Sequence, residues 1–170
     1  MPLILSIILT LLLFACSETS DPQGSGDVAV PGADTLAMSA YIDDAAWIGH
    51  DSMQVAHDPA SGTLVVNYST TENRILQQTT IVLYGVTGPG TYAIDDSASG
   101  NARYLLREDK ETSVFNGLGV IPAPTVTLTA FDKHHATGSF RFDAVAVSGA
   151  RTGDTARVRG GRFNVGKPGG

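Results

Sequence analysis

Apolar side chains recur at every second position from Asp34 onward, and this period constrains the fold more than any other feature of the sequence. The first such segment has its large apolar residues at the even-numbered positions from Leu36 to Ile42. Neighbouring side chains on a β-strand point to opposite faces, so a period of two is expected of a strand with one buried face. The chain is therefore predicted to be all-β with little or no helix, and the best helical candidate is a single turn near Glu72–Leu76.

Turns rich in Gly, Pro and Asp separate these alternating segments. Asp58–Gly62 is predicted to join strands 52–57 and 63–69 as a hairpin. Gly88–Gly90 leads into a further predicted strand at 91–94. Short connections of this kind join antiparallel neighbours. We therefore predict a single antiparallel β-sandwich or flattened barrel of about 9–11 strands, with mostly meander or hairpin connections.

Two segments depart from simple alternation. Residues 78–87 are apolar on both faces, because Val82 and Tyr84 accompany apolar residues on the opposite face. This predicts a strand that is covered on both sides, or one at which a barrel wall packs against a loop. Pro122 and Pro124 interrupt the run that follows residue 116. Proline has no N–H to donate to a ladder, so that segment is predicted to lie at a sheet edge or in a loop.

The last predicted strand contains a change of parity. Its inward apolar positions are even-numbered as far as Val158 and odd-numbered from Phe163 on. One extra residue must therefore lie between them, and Gly160-Gly161 predicts a β-bulge at that point.

A three-residue loop at Ala150–Thr152 would set the register of the last two strands. It would place Asp143 opposite Arg159 and Phe140 opposite Phe163. We therefore predict Asp143 and Arg159 to be cross-strand neighbours on the solvent side, with side chains less than about 8 Å apart.

The amino terminus carries a different pattern, an apolar run from Leu3 to Phe14 followed by Ala15 and the only cysteine, Cys16. About 12 apolar positions are too few for a membrane-spanning helix and suit the hydrophobic region of a signal peptide. The segment Leu13–Cys16 resembles the lipobox of bacterial lipoproteins. The resemblance implies cleavage before Cys16 and acylation of its thiol and new amino terminus, with palmitate among the acyl chains. An ordinary secretory signal with an incidental thiol is the alternative.

This interpretation divides the chain into a signal peptide at 1–15, an acylated Cys16 with a flexible tether at 16–33, a β domain at 34–166 and a disordered tail at 167–170. Two or more acyl chains hold a protein stably on a membrane, so the membrane is an expected partner through Cys16. By resemblance to enteric lipoproteins, Ser17 after the cysteine permits export to the outer membrane. Whether the domain faces the periplasm or the surface stays open.

Four short stretches, in order and spacing, resemble a family of β-rich lipoprotein domains of unknown function in Gram-negative bacteria. These stretches are Ala40–Trp47, Gly90–Tyr92, Gly138–Phe142 and Gly161–Val165. The resemblance implies an antiparallel sandwich or flattened barrel and implies no activity.

The net charge of −6 is unevenly distributed along the chain. Residues 1–100 contain 11 acids and one base, whereas residues 101–170 contain six acids and ten bases. Either neighbouring strands of the two halves offset each other's charges, or a basic patch binds anionic lipid or glycan. The candidate patch residues are Arg151, Arg157, Arg159 and Arg162. Nucleic acid is not an expected partner, because no stretch interleaves basic and aromatic residues.

Four histidines are the main candidates for chemistry: His50, His57, His134 and His135. A metal at His134-His135 would need a third ligand from elsewhere, so a solvated turn is the favoured interpretation. His50-Asp51 and His57-Asp58 offer a base and its orienting acid, but no serine lies in a nucleophile elbow.

Two further patterns have a functional and a structural interpretation. Asp95–Asn101 resembles the start of a calcium loop, but its twelfth position is Leu106 rather than an acid, and a polar turn is favoured. Trp47 is expected to fill the core near a hairpin rather than to stack on a sugar.

The sequence as a whole predicts a lipid-anchored protein of the cell envelope that binds or scaffolds and has no catalytic role. The partner would be a small ligand, a glycan or an envelope protein. The alternatives are an envelope hydrolase with a histidine–aspartate site and a structural envelope subunit with an uncovered strand edge. Cys16 is the only assigned site, no catalytic residue, metal or cofactor is expected, and the oligomeric state stays open.

Overall fold

The computed structural model describes residues 37–49, 52–132 and 134–166, which form eleven β-strands. The strands are β1 (Ala37–Ile42), β2 (Ala45–Gly49), β3 (Ser52–Asp58), β4 (Thr63–Glu72), β5 (Ile75–Leu83), β6 (Gly90–Ala93), β7 (Gly100–Glu108), β8 (Glu111–Asn116), β9 (Thr125–Phe131), β10 (His135–Ser148) and β11 (Thr155–Gly166). No helix occurs among these residues, and so none there is long and apolar enough to cross a membrane. The predicted signal peptide, Cys16, tether and tail lie outside the described residues, as do His50 and Asp51.

All ladders are antiparallel and belong to one sheet, with the order β2-β1-β11-β10-β8-β7-β5-β4-β3. The long strand β10 pairs with β11 along one edge. Along its other edge, its first half pairs with β9 and its last residues pair with β8, so the sheet divides at β10. Strand β6 adds to the outer edge of β9. Most neighbours are consecutive in the chain, so the predicted all-β class, hairpin connections and strand number are confirmed. The order ends at β2 and β3 without a ladder between them, and the sheet is not closed into a barrel.

The sheet curls so that strands distant in its order face each other across one core. The hydroxyl of Tyr68 on β4 donates to the carbonyl oxygen of Asn164 on β11 at 3.5 Å. The rings of His57 on β3 and Phe131 on β9 meet edge to face at 4.9 Å. Burial raises the pKa of Tyr68 to about 12, which is the shift expected of a phenol inside an apolar core. The enclosed side chains come from alternate positions of nearly every strand, as the period of two predicts.

The connection between β4 and β5 is a two-residue hairpin turn and not a helical turn. Asn73 and Arg74 have φ values of 49° and 68°, and Glu72 pairs with Ile75 directly across the turn. Positive φ at both central residues matches the twist of a hairpin, and asparagine tolerates this conformation well. The predicted helical turn near Glu72–Leu76 is therefore wrong.

The segment predicted to be covered on both faces is covered on one. Strand β5 ends at Leu83, which is buried, whereas Tyr84 is 44% exposed and lies beyond the strand. Pro122 and Pro124 lie in the connection between β8 and β9, and this confirms the prediction of a loop or edge.

The predicted bulge in the last strand is confirmed. Phe140 pairs with Gly161 and Phe142 pairs with Val158, so two residues of β11 face only Arg141 on β10. One of the two is Gly160, which has a φ of 56°. A glycine adopts this left-handed conformation without the steric cost that a Cβ would add.

The predicted register of these strands is wrong by two residues, although the predicted neighbours do meet. Asp143 pairs with Arg157 because the chain turns about Ala150, one residue earlier than predicted. Asp143 nevertheless forms an ion pair with Arg159, its diagonal neighbour, at 2.6 Å between Oδ1 and Nη1. Contact between the two side chains is therefore confirmed.

Two phenylalanine rings of β10 and β11 lie over glycines of the opposite strand. Phe140 covers Gly161, and Phe163 covers Gly138, so that a carbon added to either glycine would lie within 2.8 Å of the ring. The two rings are 6.3 Å apart between centroids. Aromatic cover of a strand glycine replaces the packing that a missing side chain forfeits.

Candidate functional site

A cavity of about 390 Å³ opens at the end of the curled sheet, where the β1–β2 turn, the β7–β8 hairpin and the β10–β11 loop come together. We call it the end cavity. Its apolar lining consists mainly of Ile42, Trp47, Ile75, Tyr104, Leu106 and Phe115. Its charged lining consists of Asp43, Glu108, Arg151 and Asp154. Concave sites with an apolar body and a few placed polar groups are the usual form of small-molecule sites.

Three aromatic side chains from different strands form the floor of the end cavity. Tyr104 on β7 and Phe115 on β8 are cross-strand partners, and their rings are 5.4 Å apart. Trp47 reaches the floor from β2, and each of the three side chains is 3% exposed. The prediction that Trp47 fills the core is therefore confirmed, and its ring also lines the cavity.

Tyr104 lines the end cavity, and its hydroxyl lies close enough to Asp43, Arg151 and Glu108 for their charges to act on it. The hydroxyl has no hydrogen-bond partner in the part of the chain that the structure describes. Burial raises the pKa of Tyr104, and the negative charge of Asp43 raises it further, while Arg151 and Glu108 act on it more weakly in opposite directions. All three of these charged residues line the cavity, so the hydroxyl faces the same space. It is a neutral group that can donate to a ligand or accept from one.

The rim of the end cavity carries more negative than positive charge. Arg151 binds both carboxylate oxygens of Glu108, at 3.0 and 3.2 Å, so this pair is internally neutral. Asp43 accepts the backbone N–H of Arg157 at 2.8 Å, which orients its carboxylate. Among the described residues neither Asp43 nor Asp154 has a cationic side chain as a partner.

Gln77 adds a neutral polar group to the same wall. It lies on β5 at a position that shares its face with the buried Thr79 and Ile81, and it lines the cavity. Its neighbour Gln78 points to the opposite face, where its amide donates to Asn67 at 2.8 Å.

Most of the arginines proposed as a basic patch have acids beside them. Arg151 is paired with Glu108, Arg159 with Asp143, and Arg157 lies opposite Asp143. Two of the four arginines are therefore neutralised locally by acids of the second half of the chain.

Arg162 has no acidic partner among the described residues, and it borders a second, shallower groove of about 500 Å³ with Arg141. Hydroxyl groups line this groove, and those of Thr91 and Thr127 bond to each other at 3.1 Å. Phe140 is the one aromatic residue among the described residues that line this groove, and it is buried. The groove therefore offers charge and hydroxyls without the aromatic floor of the end cavity.

The histidines that the structure describes do not converge. His57 lies half-buried on β3 against Phe131, whereas His134 and His135 are exposed, with rings 6.5 Å apart. Asp132 accepts the backbone N–H groups of both His134 and His135, which lower the pKa of its carboxyl and close the turn. No group of three or more metal-ligating side chains is found within the described ranges.

The two carboxylates predicted as candidates in turns hold those turns together. Asp58 accepts the Ser61 hydroxyl at 2.7 Å and the Ala60 N–H at 3.0 Å, and both bonds lower its pKa. Asp96 accepts the N–H groups of Ser99 and Ala98, which likewise lower its pKa. These bonds correspond to the polar turn that was favoured over calcium binding at 95–101.

The alternative of a structural envelope subunit requires a strand edge that is free to pair with another chain. Strands β2, β3 and β6 each have one edge that pairs with no other strand among the residues described. The longest of these edges belongs to β3, which has seven residues.

Sequence reasoning did not identify Tyr104, Phe115, Glu108 or Asp154 as site residues. The alternation indicates that Tyr104 and Phe115 point inward, but it does not indicate that they end beside a cavity. Comparisons with models of protein families, with curated proteins and with solved structures find no match. The geometry of the end cavity is therefore the main basis for a function.

Proposed function

We propose that this protein is a lipid-anchored binding module of the bacterial cell envelope, which holds a small molecule in the end cavity without reacting with it. The aromatic-floored cavity is the observation that carries the binding function. The resemblance of Leu13–Cys16 to a lipobox supports the location. The tether at 16–33 would hold the domain beside the bilayer.

The arrangement of the polar groups favours recognition over catalysis. Glu108 and Arg151 are held in an ion pair, and Asp43 is held by a backbone N–H. Neither histidine nor cysteine is among the lining residues that the structure describes. Groups fixed in this way orient a ligand, whereas a catalytic nucleophile needs an adjacent base.

Trp47 makes the binding function directly measurable, because it is the only tryptophan in the chain and it lines the cavity. Small aromatic compounds added to the full-length protein in detergent are expected to change the Trp47 emission saturably. Gln77→Phe is expected to abolish the change, since it places a ring in the cavity from an inward-facing position.

Gln78→Phe is the matched control, because the same substitution one residue along places the ring on the opposite face. It is expected to leave the titration unchanged. Binding that survives Gln77→Phe, or that is lost equally in both variants while both remain folded, would contradict the end cavity as the site.

The location is tested on protein purified from membranes of its native host. Mass spectrometry is expected to find residues 1–15 removed and two or three acyl chains on Cys16. Cys16→Ser is expected to remove the acyl chains and to release the protein from washed membranes. An unmodified thiol, or a mature amino terminus elsewhere, would contradict the anchor and leave the binding function intact.

A further inference from the structure

The charges at the rim of the end cavity specify a class of ligand, provided that the cavity binds a small molecule as proposed above. Glu108 and Arg151 neutralise each other through two hydrogen bonds. Asp43 and Asp154 are then left as carboxylates without a cationic partner among the described residues. The opening of the cavity therefore has a net negative charge.

The floor independently favours a cation. The faces of aromatic rings carry negative electrostatic potential and attract ammonium groups, and tryptophan and tyrosine do so more strongly than phenylalanine. Trp47, Tyr104 and Phe115 all line the cavity. Tyr104 is only 3% exposed, and its hydroxyl has no partner within the described part of the chain, so it can accept a hydrogen bond from a ligand N–H.

We propose that the end cavity binds a small organic cation, with its ammonium group at the rim that carries Asp43 and Asp154 and its hydrocarbon part on the aromatic floor. The ammonium group of such a ligand would meet the carboxylates, and its hydrocarbon part would contact the aromatic rings. An anion of the same shape would meet two unpaired carboxylates, while Arg151 is already engaged by Glu108. A neutral compound would gain the floor contacts alone.

Three compounds of nearly the same shape and different charge test this assignment: phenethylammonium, 2-phenylethanol and phenylacetate. Each is titrated into the full-length protein in detergent at about 50 mM salt, with the Trp47 emission as the readout. Phenethylammonium is expected to bind roughly tenfold more tightly than the alcohol, and phenylacetate more weakly than either. The advantage of the ammonium compound is expected to shrink at 500 mM salt, because salt screens exposed charges.

Asp154→Asn separates charge from shape. It is expected to weaken the binding of phenethylammonium roughly threefold and to leave the binding of 2-phenylethanol unchanged. Asp95→Asn removes a carboxylate in the β6–β7 connection, at the end of β7 away from the cavity. It is expected to change neither titration. Thermal unfolding of both variants verifies that they fold. Asp43→Asn removes a second charge at the rim, and its amide oxygen can still accept the Arg157 N–H.

The outcomes distinguish the ligand class from the binding function. Equal or tighter binding of the alcohol or the carboxylate, blocked by Gln77→Phe, would overturn the cation assignment and support the end cavity as a binding site. An Asp154→Asn variant that weakens all three compounds alike, or none, would also overturn the assignment. The absence of saturable binding by all three compounds would overturn both proposals.

Discussion

Replacing Gly149 with alanine is expected to lower the free energy of unfolding by about 4 kcal/mol or more. Gly149 begins the β10–β11 loop with a φ of 93°, a conformation that costs an L-residue roughly 1–2 kcal/mol. A carbon added there would lie 2.0 Å from the carbonyl oxygen of Thr112 and 2.7 Å from the Cα of Ser113. Both contacts are with the backbone of β8, so the loop or the strand has to move.

Gly153 provides a matched control in the same loop. Its φ of 94° is nearly the same, but an added carbon would meet no atom within 4 Å. Gly153→Ala is therefore expected to cost only the conformational penalty, about 1–2 kcal/mol. The difference between the two variants isolates the collision with Thr112.

Urea unfolding of the two variants, followed by Trp47 fluorescence, measures this difference. Should Gly149→Ala unfold too readily to be purified at 25 °C, the comparison is made at lower temperature from the unfolding midpoints. Equal losses of unfolding free energy in the two variants would show that the loop does not pack on β8 as described. They would also remove the support for placing Arg151 beside Glu108.

Phe163→Ala is expected to lower the free energy of unfolding by about 3–5 kcal/mol, the usual cost of deleting a buried phenylalanine ring. Phe163 is 2% exposed and lies between the backbone of Gly138 and the ring of Phe140. Gly138 has no side chain that would move into the space, and Phe140 is held over Gly161. The cavity left behind is therefore expected to stay largely open.

Ile121→Ala is the control for this substitution, because Ile121 is 93% exposed in the β8–β9 connection. It is expected to change the free energy of unfolding by no more than about 0.5 kcal/mol. Both values come from urea unfolding at 25 °C. A loss below about 1.5 kcal/mol for Phe163→Ala would mean that the β10–β11 face repacks, contrary to the reciprocal cover of Gly138 and Gly161 by the two rings.

Local chemistry was sufficient to predict the strands. The alternation from Met38 to Ile42 reflects the fact that consecutive strand side chains point to opposite faces, and this holds whichever strands become neighbours. The bulge near Gly160 was predictable for the same reason, because a change of parity within one strand requires an extra residue. The hairpin turn at Asn73-Arg74 was missed, although asparagine at the first turn position was a usable signal.

Strand register was predicted less well, since alternation determines only which face a residue occupies. A slip of two residues keeps every side chain on its own face, so the pattern does not distinguish Arg157 from Arg159 opposite Asp143. The conformation of the β10–β11 loop decided between them. The contact between Asp143 and Arg159 survived the error because long side chains also reach diagonal neighbours.

The sequence by itself determined the all-β class, the alternation of buried and exposed positions in most strands and the bulge, since these depend on residues close together in the chain. The end cavity was decided only by the tertiary structure. Trp47, Tyr104 and Asp154 come from β2, β7 and the β10–β11 loop, and they meet because the sheet curls until distant strands share one end. Curl and register are set by the packing of the whole core, which no short stretch of sequence encodes.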